Sequence, residues 1–303
     1  MSKDNDLLTM LKALNKDEKK PQPKSTGVSV NGLPDWYKLS KFGKQVFDEL
    51  KLCIEDRIPI LLNGGTGMGK TEAIRAIAKS IGQEEIGFNC YTGMDVGQLI
   101  GMWRPMSDGS LEWEDGAVTT AVKTGKILRI DEFSRCPVDI KSRLFGVMDS
   151  NNREWVVYEH TEDEALQVHD DFVIIASANP TGDGYIGTMR EDRAMLSRFG
   201  AIIDIFEPMA DERHALNHTL NDRDKVERML RFADMLRAEK TTYISTRDLH
   251  FLALAIKRGV DIQRAIKMTI APKYVGMESA IMTHARAVFE DMPTVEEVAK
   301  EHA

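Results

Sequence analysis

Apolar residues follow two different spacings along this chain of 303 residues, and the two alternate through its middle. Short segments rich in apolar residues indicate strands, and they fall at 58–62, 85–90, 126–130, 172–178 and 202–206. Apolar residues three or four positions apart indicate helices, and they fall at 36–55, 71–79, 94–100, 117–123 and 141–149. Strand-like arms around turn residues predict hairpin insertions at 101–116 and 153–168. This alternation predicts an α/β domain built on a parallel sheet.

The pattern changes after Pro208, where helical spacing continues almost to the last residue. We therefore expect an α/β domain over 34–207 and an all-helical lid domain over 208–303. Residues 1–33 are polar, rich in lysine and interrupted by prolines, which predicts a disordered tail. Within that tail, the leucine spacing over 6–14 fits either a helix that docks on a partner or a fraying turn.

The composition is that of an ordinary globular protein, with 42% hydrophobic and 29% charged residues, enough for one large or two modest domains. The net charge of -8 disfavours a general nucleic-acid binder, although it is compatible with a local basic patch. No apolar run is long enough to cross a bilayer, and the first residues lack the pattern of a signal peptide. Cys53, Cys90 and Cys136 lack the spacing of a metal site and are expected to be reduced. We therefore expect a cytoplasmic protein.

The stretch from Gly64 to Thr71 fits the pattern G-x-x-x-x-G-K-[ST] and stands between a predicted strand and a predicted helix. Its residues are Gly64, Gly65, Thr66, Gly67, Met68, Gly69, Lys70 and Thr71. Such a turn points backbone N–H groups and the positive end of a helix dipole at one spot, which suits phosphate groups. The ammonium of Lys70 is expected to reach the outer phosphates, and the hydroxyl of Thr71 to bind Mg²⁺. The motif therefore predicts a site for ATP with Mg²⁺.

Polar side chains follow two of the predicted strands. Asp131 and Glu132 end the strand that starts at 126, and Asn179 follows the strand at 172–178. An acidic pair about sixty residues after the phosphate-binding motif suits magnesium binding by Asp131 and activation of a water molecule by Glu132. Asn179 lies where open α/β sheets bind ligands, so its amide is expected to orient that water, although an Asn-Pro turn would also account for it.

Three arginines occupy unusual positions. Arg129 interrupts an apolar strand, so it either pairs with a carboxylate or marks a strand that is partly open on one face. Arg198 precedes the last strand, and we expect it to reach the nucleotide of a neighbouring subunit, where an arginine is worth roughly 10³–10⁵ in rate. Arg247 lies in the first turn of a helix that Ser245 caps, where the dipole disfavours a cation, so a bound phosphate is expected to compensate it.

Together these motifs resemble the set found in AAA+ ATPases. The segments 64–71 and 131–132 are similar to Walker A and Walker B. Asn179, Arg198 and Arg247 are similar to sensor 1, the arginine finger and sensor 2. The two insertions resemble those of the MoxR group, and the sequences Leu-Ser-Arg-Phe and Ser-Thr-Arg-Asp-Leu are closest to its CbbQ/NorQ/GvpN branch.

The resemblance implies a five-stranded parallel sheet in which the sensor 1 strand lies between the two Walker strands. It also implies a ring, usually a hexamer, with ATP at the subunit interfaces and the first insertion at the pore. Members of the group remodel a client protein, often with a von Willebrand factor A partner. Glu132, Asn179, Arg198 and Arg247 are then the expected catalytic residues, with Thr71 and Asp131 holding Mg²⁺.

Three functions are compatible with this sequence. The first is a ring that hydrolyses ATP with Mg²⁺ and remodels or activates a client protein. The second is a nucleic-acid motor, which ranks lower because the insertion at 101–116 carries Arg104 against four acidic residues that repel phosphate: Asp108, Glu112, Glu114 and Asp115. The third is a switch that assembles on ATP and only scaffolds, which the full set of catalytic residues disfavours.

Overall fold

The computed structural model describes residues 37–149, 153–160, 165–180, 193–239 and 243–289. In the first half of the chain the elements are α1 Lys41–Glu55, β1 Ile60–Gly64, α2 Lys70–Ile81, β2 Glu85–Asn89, α3 Gly97–Ile100, β3 Gly101–Pro105, β4 Leu111–Asp115, α4 Ala117–Thr124, β5 Ile127–Asp131 and α5 Val138–Met148. They continue with β6 Glu154–Val156, β7 Ala165–Gln167, β8 Val173–Ala178, α6 Arg193–Leu196 and β9 Ala201–Ile205. The C-terminal helices are α7 Glu212–Leu220, α8 Arg223–Ala238, α9 Thr246–Lys257, α10 Ile262–Thr269 and α11 Glu278–Phe289. The predicted tail at 1–33 lies outside the described residues.

The main sheet has five parallel strands in the order β2-β5-β8-β1-β9. The strand β8, which leads into Asn179, lies between β1 and β5, so the strand order implied by the resemblance is confirmed. Every residue of β5 is buried, Arg129 included. The expectation that this strand is partly open on one face is therefore wrong, and the alternative, pairing with a carboxylate, is correct.

The two faces of the sheet are covered by different helices, as alternating side chains require. Ile60 and Leu62 pack on the α1 and α2 side, whereas Leu61 packs with residues of α4 and α5 on the other. Because both faces are covered, β1 and β8 begin with continuous apolar runs rather than with alternating apolar and polar residues.

Several predicted helices begin or end elsewhere than their apolar spacing suggests. The helix predicted from 36 begins at Lys41, because the Ser40 side chain accepts a hydrogen bond from the Gly43 N–H and caps it. The helix predicted from 141 begins earlier, at Val138, directly after a proline. Only the last turn of the helix predicted at 94–100 forms. Apolar spacing locates a helix well, but caps decide its ends.

Both predicted hairpins are present, and they contact each other. The strands β3 and β4 pair antiparallel, as do β6 and β7, with residues 161–164 outside the described part of the second hairpin. Trp103 stacks on His160 with 5.6 Å between ring centroids, and the edge of Trp113 approaches the same imidazole at 5.0 Å. These rings join the two hairpins into one surface.

The C-terminal helices enclose a separate apolar core. A buried ion pair ties three of them together: Arg237 of α8 makes two 2.8 Å hydrogen bonds to Glu212 of α7, which also accepts one from Thr246 of α9. Among the described residues, no helix combines the length and apolar character needed to cross a bilayer.

Candidate functional site

The loop between β1 and α2 curls because two of its glycines take left-handed backbone angles. Gly67 has φ of 78° and Gly69 has φ of 95°, a region that residues with a side chain rarely adopt. Gly69 is also the N-cap of α2 and has no side chain to accept a hydrogen bond from the first helical turn. The amide groups of that turn are therefore available to an anion.

Lys70 is buried at the start of α2 and faces back toward the loop. Its ammonium donates to the carbonyls of Gly64 and Gly65, at 2.6 and 2.9 Å, and to Oδ1 of Asn179 at 3.1 Å. Burial lowers the pKa of Lys70 to about 8, with the charge of Glu132 opposing that change and the charge of Arg247 adding to it. Four residues predicted separately from the sequence thus share one electrostatic environment.

Asp131 ends β5 with its carboxylate against the phosphate-binding loop. Its Oδ1 accepts a hydrogen bond from the Thr71 hydroxyl at 2.9 Å and another from the Ser177 hydroxyl at 3.0 Å. A carboxylate beside a hydroxyl is a set of hard oxygen donors, which fits Mg²⁺ held together with phosphate oxygens. Sequence reasoning missed Ser177, and the only signal for it was a small polar residue within an apolar strand.

Glu132 turns away from β5 on a left-handed backbone with φ of 56°, which is unusual for a residue with a side chain. Its Oε2 accepts a hydrogen bond from Nδ2 of Asn179 at 2.8 Å and lies 3.5 Å from the guanidinium of Arg135. The amide of Asn179 therefore joins two groups of opposite charge, with its oxygen on Lys70 and its nitrogen on Glu132.

The start of α9 lies directly on the phosphate-binding loop. Ser245 and Asp248 form a capping box, which fixes the first turn of that helix. A side chain at Gly67 would place its Cβ 2.5 Å from the Ser245 hydroxyl and 3.4 Å from Cβ of Arg247. The hydroxyl of Tyr243 also contacts the sulfur of Met68. The structure thus brings Arg247 to the loop, as its sequence context predicts.

Arg198 lies at the other end of the sheet. It donates to Asp149 at 3.1 Å and packs over the ring of Phe145, and two residues later Gly200 bonds to the Pro59 carbonyl, just before β1. The phosphate-binding loop follows the opposite end of β1, about 16 Å away at roughly 3.3 Å per residue. The structure therefore does not bring Arg198 to the other candidate residues.

Two cavities reflect this division. One of about 400 Å³ adjoins the phosphate-binding loop and is lined by Gly64, Met68, Pro180 and Tyr243, among others. A larger one of about 670 Å³ lies around Arg198, at the amino ends of the strands. We assign the nucleotide to the loop rather than to the larger cavity, because the helix N-terminus, the lysine and the carboxylates all converge on the loop.

Comparison with known proteins finds related sequences. Residues 59–199 match the family model of an AAA domain of the dynein-related subfamily. NorQ of Paracoccus denitrificans is 28% identical over 215 residues, which cover 69% of this chain and 77% of NorQ. An uncharacterized protein of Staphylococcus aureus is 29% identical over 243 residues, covering 75% of this chain and 89% of its own. The solved structure of NtrX from Brucella abortus is 16% identical with a TM-score of 0.46, covering 86% of this chain and 56% of that one.

The family match begins just before β1 and ends just before β9, so it includes the phosphate-binding loop, the acidic pair and Asn179. The strand order and the glycine-rich loop described above agree with it. Residues 59–199 of this chain therefore form an AAA domain, with the strand order and the glycine-rich loop of a nucleotide-binding ATPase.

Proposed function

We propose that this protein is a ring-forming, Mg²⁺-dependent ATPase that uses ATP hydrolysis to remodel or activate a client protein. The observation that carries the proposal is the amide of Asn179, which contacts the ammonium of Lys70 on one side and the carboxylate of Glu132 on the other. The Asn179 amide thereby holds the phosphate-binding ammonium of Lys70 on one side and the candidate base Glu132 on the other. This arrangement suits the attack of a water molecule on a terminal phosphate.

In the proposed reaction, Glu132 accepts a proton from the water that attacks the γ-phosphorus atom. Asn179 keeps that carboxylate oriented, and Lys70 and Arg247 stabilise the negative charge that develops on the phosphate oxygens. Arg247 suits this role because the first turn of α9, where it stands, packs against Gly67.

Thr71 and Asp131 would hold Mg²⁺, which supplies charge neutralisation on the phosphates when it is bound. Within the described residues, no group of three or more His, Cys, Asp or Glu side chains forms a metal cluster. That is compatible with magnesium, which commonly takes one or two protein carboxylates and completes its shell with phosphates and water.

The ring is proposed because Arg198 and the phosphate-binding loop lie at opposite ends of the sheet, so that Arg198 is too far from its own nucleotide. In a ring, the loop of one copy faces the Arg198 end of the next, which would complete each site. The C-terminal helices would act as a lid that rotates about residues 207–210 when ATP is hydrolysed. This rotation would then move the two joined hairpins. The resemblance of the motifs to the MoxR group implies a client protein as the target, with a von Willebrand factor A protein as a candidate partner.

The decisive test compares the wild type with Glu132→Gln, and with Glu227→Gln as a control on an exposed surface carboxylate. Native mass and ATPase activity are measured with and without Mg²⁺-ATP. We expect a nucleotide-dependent oligomer in all three proteins and loss of turnover in Glu132→Gln alone. Unchanged turnover in that variant would remove Glu132 from its role, and a monomer that ignores nucleotide would remove the ring. Strong stimulation of turnover by DNA would instead favour a nucleic-acid motor.

A further inference from the structure

Arg129 is a cation inside the sheet, three residues before Glu132 in the chain. Its side chain is 8% exposed and stands in the middle of β5, whose other residues before Asp131 are apolar. Burial of a guanidinium is costly unless carboxylates pair with it and fill its hydrogen-bonding capacity. Arg129 meets that condition twice: its Nε donates to Oε2 of Glu85 at 2.6 Å, and its Nη1 contacts Oδ2 of Asp131.

The neighbouring strand leaves space for this guanidinium. Gly87 of β2 stands directly beside Arg129 in the parallel register. A Cβ at position 87 would lie 2.0 Å from the Nη2 atom, so any other residue there would displace the arginine. Glu85, two residues earlier on the same strand, is itself approached by Arg75 of α2 at 3.5 Å. Three positions on two strands are thus matched to one buried cation.

The contact fixes the orientation of Asp131. With Oδ2 on Arg129, the other carboxylate oxygen is left to accept from Thr71 and Ser177. Arg129 also shares its single positive charge between two carboxylates, because Glu85 competes for it with Asp131. How much of that charge acts on Asp131 therefore depends on Glu85.

We propose that Arg129 is a positioning residue that orients Asp131 and sets how strongly this carboxylate attracts Mg²⁺, with Glu85 controlling the strength of the effect. The inference rests on the proposed function, in which Asp131 helps to hold the metal. A cation that pairs with one oxygen of a metal-binding carboxylate weakens the attraction of that carboxylate for the metal ion. A second carboxylate that pairs with the same cation makes this attraction stronger again.

The test uses two variants with opposite expected effects. The dissociation constant for a fluorescent ATP analogue is measured in Mg²⁺ and in excess EDTA. The value in EDTA divided by the value in Mg²⁺ gives a ratio that rises as binding becomes more dependent on magnesium. Arg129→Gln removes the internal cation and should raise that ratio by roughly three- to tenfold. Glu85→Gln leaves the whole charge of Arg129 to Asp131 and should lower the ratio by a similar factor.

Lys126→Met is the matched control, because it breaks a more exposed ion pair with Glu84 beside the same strand and should leave the ratio within about twofold of the wild type. Thermal melting shows that each variant is folded. If Arg129→Gln does not fold, Glu85→Gln still tests the proposal, since Arg129 and Asp131 remain paired in it.

A merely structural ion pair predicts either no change in the ratio or a change of the same sign in both variants, and both results would overturn the proposal. Failure of the proposed function has a different signature. If wild-type protein binds the analogue equally well with and without Mg²⁺, then Asp131 has no metal role, and the inference falls together with that part of the function.

Discussion

The buried ammonium of Lys70 leads to a quantitative prediction about pH. Burial lowers its pKa to about 8 from the ordinary value of 10.5, because the ammonium is largely out of contact with water. The difference corresponds to about 3 kcal/mol that opposes the charged form in the unliganded protein. Phosphate groups beside Lys70 favour that charged form, so we expect nucleotide binding to raise the pKa again.

The sign of the pH dependence follows from these two states. Below pH 8, Lys70 is already charged before binding, so the affinity for ATP does not change with pH through this group. Above pH 8, a proton must be taken up on binding, and each further pH unit lowers the affinity by about tenfold, or about 1.4 kcal/mol. The unliganded fold responds in the opposite sense: between pH 8 and pH 10.5 the unfolded chain binds more protons at Lys70 than the native state, so this group makes the native state more stable as pH rises.

Isothermal titration calorimetry measures both quantities. Comparing about pH 7.5 with about pH 9.5, we expect a loss of roughly twentyfold in ATP affinity and uptake of close to one proton at the higher pH, detected with buffers of different ionisation enthalpy. AMP is the control ligand because it lacks the outer phosphates that Lys70 would reach, so its binding should take up no proton. Equal ATP affinity at the two pH values without proton uptake would refute the reasoning.

Two further predictions compare matched substitutions. Glu212→Gln leaves the buried guanidinium of Arg237 without its carboxylate and should lower the free energy of unfolding by about 3 kcal/mol, whereas Glu227→Gln breaks an exposed pair and should leave the free energy of unfolding nearly unchanged. Urea denaturation measures both, and equal costs would contradict the argument from burial. Gly67→Ala should weaken ATP binding by about tenfold or more because its methyl group meets the start of α9, whereas Gly82→Ala, with a similar positive φ and open space around it, should not. Equal ATP affinities for these two variants would show that the close approach of α9 to the loop is unimportant.

The strands, the hairpins and the phosphate-binding loop were predictable because each depends on residues close together in the chain. The apolar run before Gly64 makes a buried strand in any α/β sheet, and the glycines at 67 and 69 make the turn that follows it. The sequence shows that Arg129 is unusual, but its apolar neighbours alone are compatible with two interpretations. Only the pairing of β5 with β2 shows that Glu85 is a partner and that Gly87 makes the space.

Local spacing and composition thus encode the phosphate-binding loop, the acidic pair after β5 and the succession of strands and helices along the chain. Which side chains meet depends on how the strands assemble: Asn179 bridges Lys70 and Glu132 because β8 is inserted between β1 and β5. The position of Arg198 has the same origin. Arg198 lies at the amino ends of the strands, so it cannot reach the phosphate-binding loop of its own chain. Contacts of this kind depend on strand order and on the direction in which side chains leave the sheet, and neither is set by residues that are neighbours in the chain.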